Sequence, residues 1–439
     1  MMFAIVIAKL VACVLHLFGK GATTLPGKIA LTIKYNILNR LSKGVHIICV
    51  TGTNGKTTTC ALLEQGIKAS GKSYFINKSG ANMITGVATA FIMNSTVFGK
   101  CKKEYAILEC DENSFPNIAR YIDADIVVVT NIFRDQLDRY GEIEHTLNKI
   151  VEAITYMPLS TVVLNADCPM TYYISRLVDN DIIRFGINAE FGINAVSDVN
   201  YCPVCASSLS YRRRIYSQLG DFYCSSCGYS RVKPDNTIDD IIEINENGSS
   251  FFMNNRVVGI NLGGIFNVYN FLSAYTALCM FGINSIASLV DFNGSFGRME
   301  RFSFDDKEII MMLVKNPVGF ANCISYAVKL KGSYDFVFAL NDNDADGTDV
   351  SWIWDVDFTP LKYKAEYALT TGTRAYDMAL RLKYDDITAD EIILSEDYSL
   401  LIEKIKSRDN NCIVFSSYTA MMNMRHFFIS EFGGSEFWE

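Results

Sequence analysis

The sequence predicts an α/β protein in which a phosphate-loop domain with a parallel-rich sheet carries an inserted four-cysteine zinc ribbon and precedes a second, Rossmann-like α/β domain. Three observations support this prediction. Short β-rich runs alternate with helical patterning, which is typical of a parallel sheet covered by helices. A glycine loop directly follows a buried strand. Two C-x2-C pairs interrupt the first domain.

The composition fits compact domains and excludes two classes of protein. With 439 residues, 49% of them hydrophobic and 12% aromatic, the chain is long enough for several cores and too apolar for disorder. The net charge of −8 argues against a nucleic-acid partner, because such proteins present a basic surface. The thirteen cysteines are an odd number without a disulfide framework, so we expect a reducing cytoplasm.

Residues 1–45 are predicted to form a helical segment that packs on the central domain. The apolar stretch at 3–18 is too short to span a membrane and is interrupted by Lys9 and His16. A peripheral helix at the inner face of the cell membrane and a signal peptide are the alternatives. Secretion is excluded, because no cleavage motif of small residues follows cleanly.

The central domain, 46–297, opens with a phosphate-binding unit. A buried strand at His46–Val50 leads into the loop GTNGKTTT at 52–59, and a helix follows with an apolar face. Glycines let backbone N–H groups approach phosphate oxygens, and the helix N-terminus favours negative charge. We expect Lys56 to contact the β- and γ-phosphates of ATP and to serve in catalysis, and Thr57 to hold Mg²⁺. The predicted ATP contacts of the loop are Gly52, Thr53, Asn54, Gly55, Lys56, Thr57 and Thr58.

Further strands are predicted at Tyr105–Leu108, Ile126–Thr130 and Thr161–Leu164. Glu109 ends the first of these, where a doubly wound sheet opens its ligand crevice. A carboxylate in that place can coordinate Mg²⁺ between phosphates. A solvated acid at a strand end is the alternative.

The inserted module, 200–232, carries the cysteine pairs Cys202 and Cys205, then Cys224 and Cys227. This spacing is typical of a zinc ribbon, in which two tight turns bring four thiolates to one ion. Because four protein ligands leave no open position, we expect the zinc to be structural. The alternatives are four reduced thiols and a nucleic-acid-binding ribbon, which the acidic chain disfavours.

A second α/β domain is predicted at 298–439. The segment NGSFGRMERF at 293–302 marks the boundary, and strands then alternate with helices. The predicted strands are Ile309–Val314, Phe336–Leu340, Ala368–Thr370 and Cys412–Phe415.

The loop G-T-N-G-K-T is shorter than the general phosphate-loop pattern and resembles that of the Mur ligase and folylpolyglutamate synthase superfamily. The order of later segments adds to the resemblance: Glu109 matches the metal-binding glutamate, and TNIFRDQLDRYG at 130–141 matches a superfamily segment, with Gln136 in place of a histidine that serves a second metal. LNADCP at 164–169 resembles a nucleotide-side segment. The resemblance further implies ATP contacts from Asn267, Asn270 and Arg298, with Arg301 as the alternative arginine.

Within that superfamily the full chain resembles the MurT branch. It reaches its phosphate loop by residue 52, without the N-terminal domain with which ordinary Mur ligases hold a UDP group, and it carries the zinc ribbon and the acidic segment NDNDADGTDVSWIWDVDF at 341–358. The resemblance implies a Mur-ligase-like fold and ATP-dependent amidation of the α-carboxyl of D-glutamate in lipid II through an acyl phosphate. It also implies a separate GatD-type glutaminase partner and a lipid II substrate at the membrane surface.

The acidic segment is expected to lend a carboxylate to the glutaminase, because a Cys–His pair works best when an acid orients the histidine. Asp349 is preferred, since it precedes the aromatic run Trp352–Trp354 that can anchor an interface. Asp355 is second, and a solvated acidic turn is the alternative. The remaining acids of the segment are Asp342, Asp344, Asp346 and Asp357. The alternative functions are a stand-alone ligase that adds an amino acid and a zinc-ribbon binding protein without catalysis.

Overall fold

The structure is a computed structural model that describes residues 1–17, 22–77, 81–133, 141–189, 201–245, 248–284, 286–290, 299–330, 332, 334–343, 346–394 and 397–432. These residues divide into two compact units, the first ending at residue 290 and the second beginning at residue 299. The sequence prediction of an α/β fold with a parallel sheet is confirmed, and each unit is built on its own sheet.

The first unit is built on a seven-stranded sheet whose order is β2-β3-β1-β4-β5-β6-β9. All of its neighbouring strands run parallel. The central strands are continuous apolar runs because helices cover both faces of such sheets. The strands are β1 (His46–Thr51), β2 (Tyr74–Ile76), β3 (Tyr105–Glu109), β4 (Ile126–Val129), β5 (Thr161–Asn165), β6 (Ile182–Ile187) and β9 (Asn236–Ile238).

Helices of the first unit connect and cover these strands. The helix α4 begins at Lys56, directly after the phosphate loop, and packs closely on α9: a Cβ at Gly66 would lie 2.4 Å from the Leu278 side chain. The helices are α1 (Met2–Leu17), α2 (Leu25–Ile33), α3 (Leu38–Leu41), α4 (Lys56–Ala69), α5 (Ile84–Met93), α6 (Phe115–Ala119), α7 (Gly141–Thr155), α8 (Pro169–Ile174), α9 (Ile265–Met280) and α10 (Ala287–Val290).

The N-terminal helices pack on one another and on α5. Small residues make this close packing possible: α1 buries Ala4, Ala8 and Ala12, and Gly27 of α2 lies so near α5 that a Cβ there would meet the Thr85 carbonyl at 1.9 Å. Among the helices that the structure describes, none is long and apolar enough to cross a bilayer.

Two small antiparallel sheets belong to the first unit, one within the predicted insert at 200–232 and one directly after it in the sequence. The hairpin of β7 (Ser210–Tyr216) and β8 (Leu219–Tyr223) belongs to the cysteine module. A three-stranded sheet follows it, made of β10 (Asp240–Ile244), β11 (Ser249–Met253) and β12 (Arg256–Ile260).

The second unit holds a six-stranded sheet in the order β13-β14-β18-β15-β16-β17, parallel except for the edge pair β13 and β14. The strands are β13 (Met299–Phe304), β14 (Lys307–Leu313), β15 (Tyr334–Ala339), β16 (Ala365–Gly372), β17 (Glu391–Leu394) and β18 (Asn411–Ser416). The helices are α11 (Pro317–Lys329), α12 (Ala375–Tyr384), α13 (Tyr398–Lys406) and α14 (Tyr418–Phe432), with 3-10 turns at Ser351–Asp355 and Thr359–Leu361.

Alternating side chains give this second sheet a core on each face. Phe336 and Phe338 of β15 point into one core, and Val337 between them points into the other. The first core also takes in residues of the acidic segment, among them Trp352 and Phe358. The carboxylates of Asp355 and Asp357 are therefore carried on a backbone that the core holds in place.

Candidate functional site

The phosphate loop has the backbone that its glycines predict. Gly52 and Gly55 both adopt positive φ angles, +119° and +86°, which favour glycine. A Cβ at Gly52 would lie 2.5 Å from Oγ1 of Thr130, and a Cβ at Gly55 would lie 2.0 Å from Oδ1 of Asn270. Both positions therefore exclude a side chain on conformational and on steric grounds.

Residues that follow β4 hold the loop from behind. The amide N–H of Asn54 donates to Oδ1 of Asn131 at 3.0 Å, and Nδ2 of Asn131 donates back to the Asn54 carbonyl at 3.0 Å. Oγ1 of Thr53 donates to the Phe133 carbonyl at 3.1 Å and accepts from the Phe133 amide at 3.0 Å. This network fixes the loop before any ligand arrives.

Lys56 is buried at the start of α4, with 7% of its side chain exposed. Its Nζ donates to the carbonyl of Gly52 at 2.7 Å and lies 2.7 Å from Oε1 of Glu112. The Glu112 carboxylate is itself only 12% exposed. The ammonium group therefore lies at the loop in a neutralised, hydrogen-bonded state.

The sequence analysis missed Glu112 because it belongs to no motif. The residue follows β3 by three positions, and its only sequence signal is a second acid after Glu109 in the run ECDEN. Asn77 was missed as well. It exchanges hydrogen bonds of 2.8 Å with both backbone groups of Glu109 and so fixes the end of β3.

Glu109 lies where the sequence predicted it, at the end of β3 and next to the end of β1, where its register partner is Val50. The residue is 7% exposed. Its charge reaches the first turns of α4: burial raises the pKa of the Cys60 thiol well above its ordinary value, and the Glu109 carboxylate raises it further. Thr57, the other predicted Mg²⁺ ligand, is partly exposed on the first turn of α4. Hard oxygen ligands of this kind suit Mg²⁺.

The predicted nucleotide-side asparagines lie on the first turns of α9. Asn270 is 4% exposed, contacts the loop at Gly55, and donates from Nδ2 to Oδ1 of Asn267 at 3.2 Å. Asn267 donates to the carbonyl of Gly263 at 2.8 Å. Arg301, the alternative arginine, pairs with Glu308 in the second unit. Arg298, Gln136 and Asp344 lie outside the described residues.

The segment LNADCP approaches both the loop side and the cysteine module. Nδ2 of Asn165 donates to the carbonyl of Thr130 at 3.1 Å. The carboxylate of Asp167 is fully buried, pairs with Nε of Arg231 at 2.5 Å, and accepts from the Tyr269 hydroxyl at 2.7 Å. Arg231 belongs to the inserted module, so this ion pair ties the module to the central domain.

The four cysteines of the module converge as their spacing predicted, with all Sγ atoms within 4.8 Å of one another. The Sγ atoms of Cys202 and Cys227 lie 3.6 Å apart, as do those of Cys205 and Cys224. Tetrahedral zinc with bonds of about 2.3 Å requires sulfur atoms about 3.8 Å apart, whereas a disulfide would bring them to about 2.0 Å. The cluster therefore fits one zinc ion.

The two cysteine turns share one construction. The residue after each second cysteine has a positive φ angle, +58° at Ala206 and +74° at Gly228. Each of these residues also donates its amide to the carbonyl of the first cysteine of its pair, at 2.8 Å and 3.0 Å. Beneath them Tyr229 is buried and stacks on Tyr172 of α8 at 5.6 Å between ring centroids.

Several acidic residues of the 341–358 segment bind to different partners within the second unit. Asp342 pairs with Arg374 at 2.8 Å, and Asp346 accepts from the amide of Thr419 at 2.7 Å. Asp357 caps a local turn through the amide of Thr359 at 3.0 Å. Each of these carboxylates therefore has a structural partner.

Asp349 is exposed and caps the 3-10 turn that follows it. Its Oδ1 accepts from the amide of Ser351 at 2.8 Å and from the Ser351 hydroxyl at 2.5 Å, and these bonds lower the pKa of the carboxyl below its ordinary value. Within the described residues its Oδ2 accepts no hydrogen bond. The carboxylate is thus ionised, and Ser351 orients it through Oδ1. Its Oδ2 is left to accept a hydrogen bond from another group. Asp355 is also exposed, at the end of the same turn.

The expectation that the aromatic run Trp352–Trp354 anchors an interface is wrong for its first tryptophan. Trp352 is 2% exposed and packs on Phe320 in the core, because the 3-10 turn directs it inward. Trp354 is 46% exposed and lies edge-on to the exposed Tyr384 at 5.1 Å between ring centroids. Only this second tryptophan is at the surface.

Comparison with known proteins agrees with this geometry. Residues 50–278 match the family described as Mur ligase middle domain, and residues 313–421 match MurT ligase C-terminal. A pseudomurein peptide ligase type C from Methanothermus fervidus shares the fold, with a TM-score of 0.68 and 22% identity over 90% of this chain and 80% of that chain. MurF from Acinetobacter baumannii also shares the fold, with a TM-score of 0.67 and 15% identity over 93% of this chain and 81% of that chain. The fold and the loop thus define a ligase of the Mur type.

Curated relatives narrow this class further. The chain is 37% identical, over 95% of its length and 94% of the relative, to the protein of Streptococcus pneumoniae (strain ATCC BAA-255 / R6) named lipid II isoglutaminyl synthase (glutamine-hydrolyzing) subunit MurT. It is 35% identical to the protein of the same name from Staphylococcus aureus (strain COL), over 96% of both chains. The chain belongs to the MurT family, which confirms the resemblance seen in the sequence.

Proposed function

We propose that this protein is the synthetase subunit of a lipid II isoglutaminyl synthase. In this proposal it uses ATP to convert the α-carboxyl of D-glutamate in the stem peptide of lipid II to the amide, which gives D-isoglutamine. Membership in the MurT family supports amidation of lipid II, since the curated relatives carry that activity in their names. The observation that carries the chemistry is the prebuilt phosphate loop, with Lys56 buried at the point where phosphates would bind.

The proposed reaction has two steps, and Lys56 acts in the first. A carboxylate oxygen of the glutamate attacks the γ-phosphorus of ATP, the bond to the bridging oxygen breaks, and ADP leaves. Lys56 exchanges its contact with Glu112 for the phosphates and offsets the charge that develops on them. Mg²⁺, held by Thr57 and Glu109, would supply further charge neutralisation. The loop N–H groups, Asn267 and Asn270 position the nucleotide, and Arg298 is the further predicted contact.

In the second step ammonia attacks the carbonyl carbon of the acyl phosphate. The bond from that carbon to the phosphate oxygen breaks, phosphate leaves, and the nitrogen loses a proton to water. The names of the relatives include glutamine hydrolysis and the word subunit, which supports a partner that releases ammonia from glutamine. We assign this role to a separate GatD-type glutaminase that forms a heterodimer with this chain.

Asp349 is the residue that we propose completes the glutaminase site from this side. An acid that orients a histidine must be ionised and must present a free oxygen. Asp349 meets both conditions, because Ser351 holds one oxygen and lowers the carboxyl pKa. Asp355 remains the second candidate. The exposed Trp354 of the same segment supports a protein contact there.

The zinc ion in this proposal is structural. Four thiolates occupy its coordination sphere, so neither water nor substrate can bind to it. The buried pair of Asp167 and Arg231 supports a role in fixing the inserted module to the domain that binds ATP. The whole protein is proposed to work in the cytoplasm, at the inner face of the membrane that holds lipid II.

The test is release of ADP from ATP in the presence of a glutamate-containing muropeptide, with ammonium chloride or single amino acids as the amine. We expect release that depends on ammonium and a product that carries the amide. Release that depends on an amino acid would overturn the proposal in favour of a stand-alone ligase. Absence of any ATP turnover in protein that is folded and carries zinc would overturn both functions.

A further inference from the structure

One face of the N-terminal helix α1 is apolar and exposed. Its residues are spaced three or four apart, which places them in one stripe along a helix. Phe3 is 68% exposed, Leu10 60% and Leu17 80%. The opposite face, with Ala4, Ala8 and Ala12, is buried. The exposed stripe consists of Phe3, Val6, Leu10, Val14 and Leu17.

A neighbouring turn extends this apolar surface. The turn lies between Ser95 and Cys101, which form an isolated β-bridge. It contacts the start of α1, since a Cβ at Gly99 would lie 2.6 Å from Cε of Met1. Its tip carries Phe98, which is 70% exposed. We call the α1 stripe together with Val97 and Phe98 the N-terminal apolar face.

The charge of the same part of the chain is strongly positive. Residues 1–45 include six Lys and Arg residues and no Asp or Glu, although the whole chain holds 40 basic and 48 acidic residues. The first acidic residue of the sequence is Glu64. The N-terminal segment is therefore a cationic region on an anionic protein.

Part of this charge lines a cavity of about 380 Å³ that begins directly after α2. Lys34, Arg40 and Lys43 contribute to it from the N-terminal segment, and Arg120 and the acidic Asp123 contribute from the residues after α6, so four cations and one carboxylate line it. Arg120 pairs with Glu152. Within the described residues no carboxylate lies within 4.0 Å of the charged groups of the other three. These three cations are thus available to an external anion.

We propose that the N-terminal apolar face and the cations Lys34, Arg40 and Lys43 of the same N-terminal segment dock this protein on a lipid bilayer that contains anionic lipids. Helix α1 would lie in the plane of the interface, because its 16 residues are fewer than the roughly 20 needed to span. The affinity of an interfacial helix for a membrane increases with its buried apolar area and with its attraction to anionic lipids, and this region supplies both contributions.

A second copy of the chain fits this surface less well. Pairing two such faces would bring two cationic N-terminal segments together, with no acidic residue from either segment to offset their charge. An anionic bilayer supplies the complementary charge. The inference rests on the proposed function for its purpose, since docking would bring the ATP site to a lipid-linked substrate.

The test is flotation of the full chain with vesicles that contain no substrate. We expect binding to vesicles of phosphatidylcholine with phosphatidylglycerol, and weak binding to phosphatidylcholine alone. Leu10→Glu should lower binding about tenfold or more, since it removes apolar area and adds a negative charge. The matched control is Leu380→Glu on α12, where the leucine is 51% exposed, and this variant should bind as the parent does.

The electrostatic part is tested with Lys43→Glu, which should lower binding at least about fivefold, as expected for a basic charge near an anionic surface. Lys383→Glu, an equivalent reversal on α12, should leave binding unchanged. Equal binding of Leu10→Glu and the parent would overturn the proposal. So would a drop in oligomer mass of Leu10→Glu in sedimentation, since the face would then join two copies.

The two proposals fail separately in this design. Amidation of a water-soluble muropeptide reports on the function and should be unchanged in Leu10→Glu and Lys43→Glu. If the parent protein binds vesicles but does not amidate the muropeptide, the proposed function alone is overturned. Intact activity with no vesicle binding would overturn docking alone. Thermal unfolding of each variant confirms that it is folded.

Discussion

The phosphate loop and the acidic segment at 341–358 both carry charge for the proposed reaction, but they are built in opposite ways. Lys56 is buried and already bonded to Gly52 and Glu112. Asp349 is exposed, and among the described residues its carboxylate is bonded only to Ser351 of the turn that it begins. A buried group with several partners is positioned by its own chain. An exposed carboxylate held through one oxygen leaves its other oxygen accessible, which is what the proposed contact with a partner protein requires.

The largest effect is expected from Lys56→Ala, which removes the buried cation of the loop. Amidation should fall roughly 10³-fold or more with either ammonium or glutamine, as for loss of a charge contact in phosphoryl transfer. Lys68→Ala, on the exposed side of the same helix, is the control and should be fully active. Comparable activity of the two variants would show that the loop does not use its lysine.

Asp349→Asn should separate the two amine sources. Glutamine-driven amidation by the reconstituted pair should fall about 10²-fold or more, because the histidine loses its orienting acid, while ammonium-driven amidation persists. Asp357→Asn is the matched control, since Asp357 caps the turn at Thr359 in the same manner. Full glutamine-driven activity of Asp349→Asn would transfer the role to Asp355.

Cys227→Ser should act on stability and not directly on chemistry. Zinc content should fall from about one ion per chain, and the free energy of unfolding should fall by more than about 3 kcal/mol in the ribbon, because metal binding and folding are coupled. Cys101→Ser, which alters a cysteine outside the cluster, should keep the zinc content and the free energy of unfolding of the parent protein. Metal analysis and thermal unfolding measure the outcome, and a zinc-free parent protein would contradict the assignment.

Gly55→Ala is expected to lower the free energy of unfolding by less than Cys227→Ser does. The added Cβ meets Asn270 at 2.0 Å and the φ angle is positive, so the free energy of unfolding should fall by about 2–3 kcal/mol. Gly71→Ala separates the two causes. Gly71 has a φ of +74° with nothing within 4 Å, so that change should cost only about 1 kcal/mol. The affinity for ATP should fall in Gly55→Ala and stay unchanged in Gly71→Ala. Chemical denaturation measures the stability of each variant and ATP titration its affinity, and equal values for the two variants would contradict this prediction.

The sequence predicted those features that depend on neighbours along the chain. The loop at 52–59 and the cysteine turns are contiguous, so their residue types and spacing report their structure directly. The order of the strands was not predicted, because pairing joins distant segments. Glu112 was missed for the same reason, since it is 56 positions from Lys56. The predicted interface role of Trp352 was wrong because the burial of this residue depends on a core assembled from the whole second unit.

The closed pair of Lys56 and Glu112 has a consequence for selectivity among anions. A small anion such as inorganic phosphate can offer the lysine one contact, and it must first displace a carboxylate that is already 2.7 Å away. A nucleoside triphosphate brings several phosphates to the loop N–H groups and the start of α4 at once, which offsets the loss of the ion pair. We therefore expect the Glu112 carboxylate to prevent inorganic phosphate from binding to the loop and inhibiting the protein. In the Glu112→Gln variant, ATP hydrolysis should become sensitive to inorganic phosphate.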